Sequence, residues 1–340
     1  MIATAPGKLI VTGEYAVLDG APALVLAIDR RAVARIATGA HGSSPFLLAV
    51  ADELARRRGA DNPAARAALA IRVDSSACYD GTLKLGLGSS AAVTVAATAL
   101  ALAHEIRSDL VSAHEVQELR SDPVFAREVL SVALAAHASA QGAKGARGSG
   151  ADVAAAVHGG VIEFAVTAHE DPAGSVRVVR KSWPASVRLI PFFTGVAADT
   201  ATLVATVTAA RAANPVAIDA AFTAIADASR AASAAVTAPA DLAATALISA
   251  LALAGSAIDR LGVAAGVALV PACVTAARSA MSRFGGTAKT TGAGGGDIGI
   301  AASPAAADAT AATRALIEAG CRPLALSVDN AGVDLRPNAS

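Results

Sequence analysis

The chain has 340 residues, 54% of them hydrophobic and 16% charged, with 28 basic residues balanced by 28 acidic ones. That length buries one large core or two ordinary ones. A neutral balance without basic blocks or aromatic–basic interleaving argues against a nucleic-acid surface.

The opening MIATAPGKLIV lacks the charged start and long apolar stretch of a signal peptide, so a cytoplasmic protein is expected. Leu24–Ile28 and Ala32–Ile36 flank Asp29-Arg30 and read as two closely joined strands. Residues 46–58 look helical, and Arg56, Arg57 and Arg58 read as a solvated helix end. A strand is expected over 70–75, then a glycine turn at Gly86 and Gly88 leading into a helix over 89–105. Asp122-Pro123 is a helix start, with Asp as N-cap and Pro at the first helical position. That helix should stop in the glycine-rich stretch 142–150.

From Gly159 to about Phe193 the chain returns to β-prone runs, including 161–166 and 187–192. Helices are expected over 199–212, 216–235, 242–261 and 270–284, then a glycine-rich loop at 291–297. A strand over 298–301, a helix over 305–319 and a strand over 323–328 complete the pattern. The mean hydropathy of +0.52 raises the question of a membrane. The apolar run Leu261–Ala277 is shorter than the roughly 20 residues that span a bilayer. It contains Pro271 and follows Asp259-Arg260, so it reads as a core segment and no membrane partner is expected. Cys78, Cys273 and Cys321 are far apart and make no CxxC pair, which points to neither a disulfide framework nor a zinc site. Strands and helices interleave without strict βαβ alternation, which argues for an α+β fold, and the chain divides near residue 185 into 1–185 and 186–340.

Three glycine-rich segments carry the chemistry. Lys84-Leu-Gly-Leu-Gly-Ser-Ser-Ala-Ala joins a loop to a helix. Glycines admit a ligand close to the backbone, and free N–H groups at a helix start form an anion site. A serine-capped helix after a glycine turn is the plainer reading. The ending is not the GK[ST] of a Walker A loop. In the first segment, residues 5–18, Lys8 sits in an otherwise apolar run; a buried lysine needs a partner or a role, although an edge-strand charge is the alternative. The third, 289–297, holds Gly292, Gly294, Gly295 and Gly296 and reads as a shaped loop.

In this order and at these separations the segments resemble the three motifs of the GHMP kinases, over about residues 3–330. The resemblance implies an N-terminal domain like ribosomal protein S5 domain 2 and a ferredoxin-like C-terminal domain, with ATP and substrate between them. Gly13-Glu14-Tyr15, Lys84, Gln141-Gly142, Gly148-Ser149-Gly150-Ala151-Asp152-Val153 and Gly294-Gly295-Gly296-Asp297 are most similar to the phosphomevalonate kinase branch. Mevalonate kinases, the nearest alternative, usually place His at position 15 and a magnesium-binding Glu at 141. A non-catalytic relative would be expected to lack Lys8 or Asp152, and both are present.

The resemblance carries Lys8 and Asp152 as catalytic residues, and Lys84, Gly86, Leu87, Gly88, Ser89 and Ser90 as binders of the ATP phosphates. Ser89 would be the magnesium ligand. Glu14, Tyr15, Ser149, Thr194, Thr200, Gly294, Gly295, Gly296 and Asp297 would face the acceptor. The implied partners are ATP, Mg²⁺ and phosphomevalonate, in a monomer or homodimer.

Overall fold

The computed structural model describes residues 1–37, 44–106, 113–143, 148–167 and 176–337. The N-terminal part contains β1 (Ile2–Thr12), β2 (Ala23–Ile36), α1 (Pro45–Arg58), α2 (Pro63–Ala70), β3 (Ile71–Asp74), β4 (Tyr79–Asp80) and β5 (Leu83–Lys84). It continues through α3 (Ser89–Ile106), α4 (Ala113–Ser121), α5 (Pro123–Gly142), α6 (Ala151–His158), β6 (Val161–Val166) and β7 (Val176–Lys181). Then come β8 (Val187–Phe193), α7 (Thr200–Ala213), α8 (Pro215–Ala235), α9 (Ala240–Ala265), α10 (Ala272–Ser282) and β9 (Thr287–Thr290). The last elements are β10 (Ile298–Pro304), α11 (Ala309–Glu318), β11 (Arg322–Pro323) and β12 (Asp334–Arg336).

Local chemistry sets most helix starts. Ser44 and Asn62 cap α1 and α2, and each helix has proline at its first position. Asp122 caps α5 through Val124 N–H at 2.8 Å, as expected. The helix expected from Ala305 begins at Ala309 because Asp308 accepts from the N–H groups of Thr310 and Ala311. Of the glycine-rich stretch after α5, residues 144–147 lie outside those described.

The first sheet is antiparallel, in the order β12-β1-β2-β6-β7, with β3 beside β2. The expected pair of strands around Asp29-Arg30 is in fact the single strand β2. Gly7 faces Ile28 whereas Pro6 faces Arg31, so Asp29 and Arg30 form a bulge, not a turn. Proline has no N–H for the ladder, and the register breaks beside it. The second sheet runs β11-β8-β10-β9, also antiparallel.

One face of the first sheet is covered by α1, α2, α3, α5 and α6, through Ala3, Ala5 and Ala34 against Leu54, Val95, Leu100 and Val129. Its other face meets the second sheet and α9: Leu9, Leu24 and Leu26 share a core with Val187, Leu247, Leu251, Ile298 and Ile300. With both faces covered, β1 shows no apolar–polar alternation, which is why Lys8 stands out in its sequence. Segregated helices over two antiparallel sheets bear out the α+β expectation. The expected strand over 323–328 shortens to β11 plus an isolated bridge between Val328 and Ile28. The chain then crosses back, and β12 pairs with β1.

By length and composition α3 and α9 could each cross a membrane, and 72% and 50% of their apolar windows are buried inside the fold. The run Leu261–Ala277 is not one helix: Gly266 ends α9 in a left-handed conformation and Pro271 precedes α10.

Candidate active site

The loop between β5 and α3 is bound to β1 at the lysine. Lys8 N–H donates to Leu87 O at 2.8 Å, and the Lys8 side chain lies on Gly88, where an added Cβ would stand 2.8 Å from Lys8 Cγ. Gly86 and Gly88 have φ of 72° and 79°, which favours glycine. The third glycine-rich segment reaches the same loop, since a Cβ on Gly86 would stand 2.5 Å from Asp297 Oδ2. On the far side, Ser90 Oγ lies 3.2 Å from His137 Nε2, which lies 4.0 Å from Asp152 Oδ2. Asp152 sits in the first turn of α6, after Gly150 in a left-handed conformation.

These elements enclose a cleft of about 910 Å³ including its open mouth. Lys8, Glu14, Tyr15, Gly86, Ser149, Asp152, Thr200, Gly294, Gly296 and Asp297 line it. The other expected residues are not among those that line it. Leu87 is a core side chain, Ser89 is buried, and Lys84 is exposed at the loop's edge. Thr194 closes its own turn, with Oγ1 donating to Val196 O at 3.2 Å and its N–H donating to Asp297 O at 2.9 Å. Gly295 packs on Leu203, its N–H donating to Leu269 O at 2.7 Å. Gln141, Thr291, Gly292 and Ala293 line the cleft as well.

Burial lowers the Lys8 ammonium from its usual value; Asp152 and then Asp297 oppose the shift, Lys84 adds to it, and Glu14 opposes it weakly. Burial raises the Asp297 carboxyl against the Ala198 N–H and the charges of Lys8 and Lys84. Asp297 is held at φ 51° by Val196 O, which accepts its N–H at 2.7 Å, and by Ala198 N–H, which donates to Oδ1 at 3.1 Å. Tyr15, also at positive φ, donates from Oη to Ala293 O at 2.7 Å, and burial beside Glu14 raises its phenol. Glu14 is itself raised by burial, against an ion pair with Lys289 at 2.5 Å.

The cleft offers oxygen donors for a hard cation: the Asp152 carboxylate, and Gln141 Oε1, which is buried without a hydrogen-bond partner. Among the described residues, no cluster of three or more His, Cys, Asp or Glu could hold a metal by itself.

A lysine, an aspartate and a glycine-lined helix start converge on one cleft, in a fold with known counterparts. Phosphomevalonate kinase from Streptomyces sp. (strain CL190) is 28% identical over 379 aligned positions, which cover 95% of this chain and 96% of that protein. Over nearly its whole length the chain is thus similar to a GHMP kinase. The phosphomevalonate kinase of Streptococcus pneumoniae, solved with phosphomevalonate and AMPPNP, shares its fold at a TM-score of 0.71 and 18% identity, over 96% of this chain and 99% of that one. The mevalonate kinase of L. major, solved with R-mevalonate, matches at a TM-score of 0.62 and 18% identity, over 99% of this chain and 96% of that one. No protein-family model matches the chain. The superfamily match agrees with the two-domain α+β fold implied by the three sequence motifs.

Proposed function

We propose that this protein is a GHMP kinase that transfers the γ-phosphoryl group of ATP to the phosphate of (R)-5-phosphomevalonate, giving 5-diphosphomevalonate and ADP. The observation that carries the reading is Lys8 lying along Gly88, with Asp152 and Asp297 as its strongest attractive charges. A phosphoryl-transfer transition state spreads charge over its equatorial oxygens, so the protein chiefly positions and neutralises. Backbone N–H groups of residues 86–90 receive the nucleotide phosphates at the start of α3, and Lys8 faces the transferring group. Residues 1–185, joined by β12 in their sheet, would form the ATP-binding part, and the rest of 186–340 the remaining domain.

A phosphate monoester has a second pKa of about 6 and is mostly dianionic at neutral pH. The acceptor therefore needs little help losing a proton. Asp152 orients Lys8 and the acceptor, steadied by its own contacts with Val153 N–H at 3.0 Å and with His137. Magnesium would be held by Asp152 and Gln141 Oε1 with phosphate oxygens and water, whereas the Ser89 hydroxyl, buried and outside the cleft lining, would have to turn toward it. When bound, it offsets negative charge on the phosphates. Tyr15 and Gln141 set this chain apart from the usual mevalonate kinase pattern and favour the phosphorylated acceptor.

A coupled ADP-release assay with each acceptor tests the reading. Turnover on phosphomevalonate at least about tenfold above that on mevalonate, compared as kcat/KM, is expected; the reverse preference assigns a mevalonate kinase.

A further inference from the structure

Lys289 lies on β9, and none of the residues assigned to the site on sequence grounds includes it. Its Nζ donates to Glu14 Oε1 at 2.5 Å, Thr290 O at 2.6 Å and Val11 O at 3.0 Å. Three acceptors use all three ammonium hydrogens. Both side chains of the pair are 1% exposed. Glu14 Oε2, by contrast, is buried with no partner, although Glu14 lines the cleft.

Stability alone does not account for this arrangement. A buried ion pair is often no better than apolar side chains of the same volume, whereas an unpaired buried acceptor is costly. Glu14 lines the cleft, so a ligand bound there can supply the partner that the protein does not. We propose that Lys289 is a positioning residue for acceptor binding, holding Glu14 as a carboxylate whose Oε2 accepts a hydrogen bond from the acceptor's hydroxyl. The inference rests on the acceptor proposed above. A carboxylate repels phosphate and carboxylate groups, which leaves the tertiary hydroxyl as the donor. Phosphomevalonate and mevalonate both carry that hydroxyl. The charged and titratable groups facing Glu14 are Lys289 from β9, Lys8 from β1 and the adjoining Tyr15.

The experiment compares Lys289→Met, Lys289→Arg, Glu14→Gln and the double variant Glu14→Gln/Lys289→Met in steady-state kinetics and thermal unfolding. Lys289→Met should raise the acceptor KM at least about tenfold and the ATP KM less than about twofold. Because Glu14 then keeps its proton more readily, the acceptor KM should worsen further as pH falls. Lys289→Arg should recover part of the loss. The double variant should match Glu14→Gln, because the two residues act as one unit. Wild type should lose affinity for an acceptor lacking the tertiary hydroxyl, and Glu14→Gln should not distinguish the two acceptors.

Unchanged acceptor KM alongside a lowered melting temperature would make Lys289 purely structural and overturn the proposal. So would a double variant with wild-type acceptor KM, a measurement that stands even where Lys289→Met alone does not fold. Wild type active only on mevalonate would sink the proposed acceptor and leave Lys289 to be scored on mevalonate. Inactivity on both acceptors would overturn both readings.

Discussion

Gly86→Ala tests whether the glycine-rich loop and Asp297 are as tightly packed as their geometry implies. Gly86 has φ 72°, where an L-residue costs about 1–2 kcal/mol. Its new Cβ would also meet Asp297 at 2.5 Å from Oδ2 and 2.7 Å from Cβ. Asp297 has little room to retreat, because Val196 and Ala198 hold its backbone and its carboxylate. Overpacking of this kind adds about 1–3 kcal/mol, for a total of about 2–5 kcal/mol. Gly81→Ala is the matched control: its φ is 58°, but nothing lies within 4 Å of the added Cβ, so only the backbone cost of about 1–2 kcal/mol applies. Urea unfolding of both variants, with ADP release as the activity assay, separates the two contributions. Gly86→Ala should be the less stable by about 1–3 kcal/mol and should lose most activity. Equal stability of the two variants, with full activity in Gly86→Ala, would refute the contact between loop and Asp297.

Lys8→Met should lower kcat by about 10²–10³-fold, the loss typical of one preorganised transition-state donor. The exposed Lys84, replaced likewise, should cost less than about tenfold, and the opposite ranking would exchange their roles. Tyr15→Phe removes the donor to Ala293 O and should destabilise by about 0.5–1.5 kcal/mol in thermal unfolding, with a higher acceptor KM. Asp297→Asn should be more stable than wild type at pH 7. The raised folded-state pKa means that the half-buried carboxylate costs stability once ionised, and the amide oxygen can still accept from Ala198. The advantage should fade as pH falls through the folded value toward about 3.9, where wild type is protonated both folded and unfolded. A difference independent of pH would show that Asp297 is not desolvated.

Where a local signal decides an element, the sequence is sufficient. Asp122-Pro123 places α5, and Gly86 and Gly88 before two serines place α3. Asp29-Arg30 misleads because a bulge takes the same exposed polar residues as a turn, and only the register with Pro6 tells them apart. The run Thr-Ala-Lys-Thr of β9 looks too polar for a strand, yet all four residues are buried. Its lysine is satisfied by a glutamate 275 positions away, a pairing that spacing along the chain does not reveal. Likewise, Gln141 is visible in sequence as a departure from mevalonate kinases, but its unpartnered oxygen is a property of the folded cleft.

The return of β12 to β1 sets a timing problem for biosynthesis. Thr4 and Asp334 are ladder partners 330 positions apart. At roughly 5–20 residues per second on the ribosome, β1 waits roughly 15–70 seconds for that neighbour. Throughout that interval its outer N–H and C=O groups are free to pair with another nascent chain. Slow translation or a truncated C-terminus should therefore show itself first as insoluble protein, ahead of any loss of specific activity in the fraction that folds.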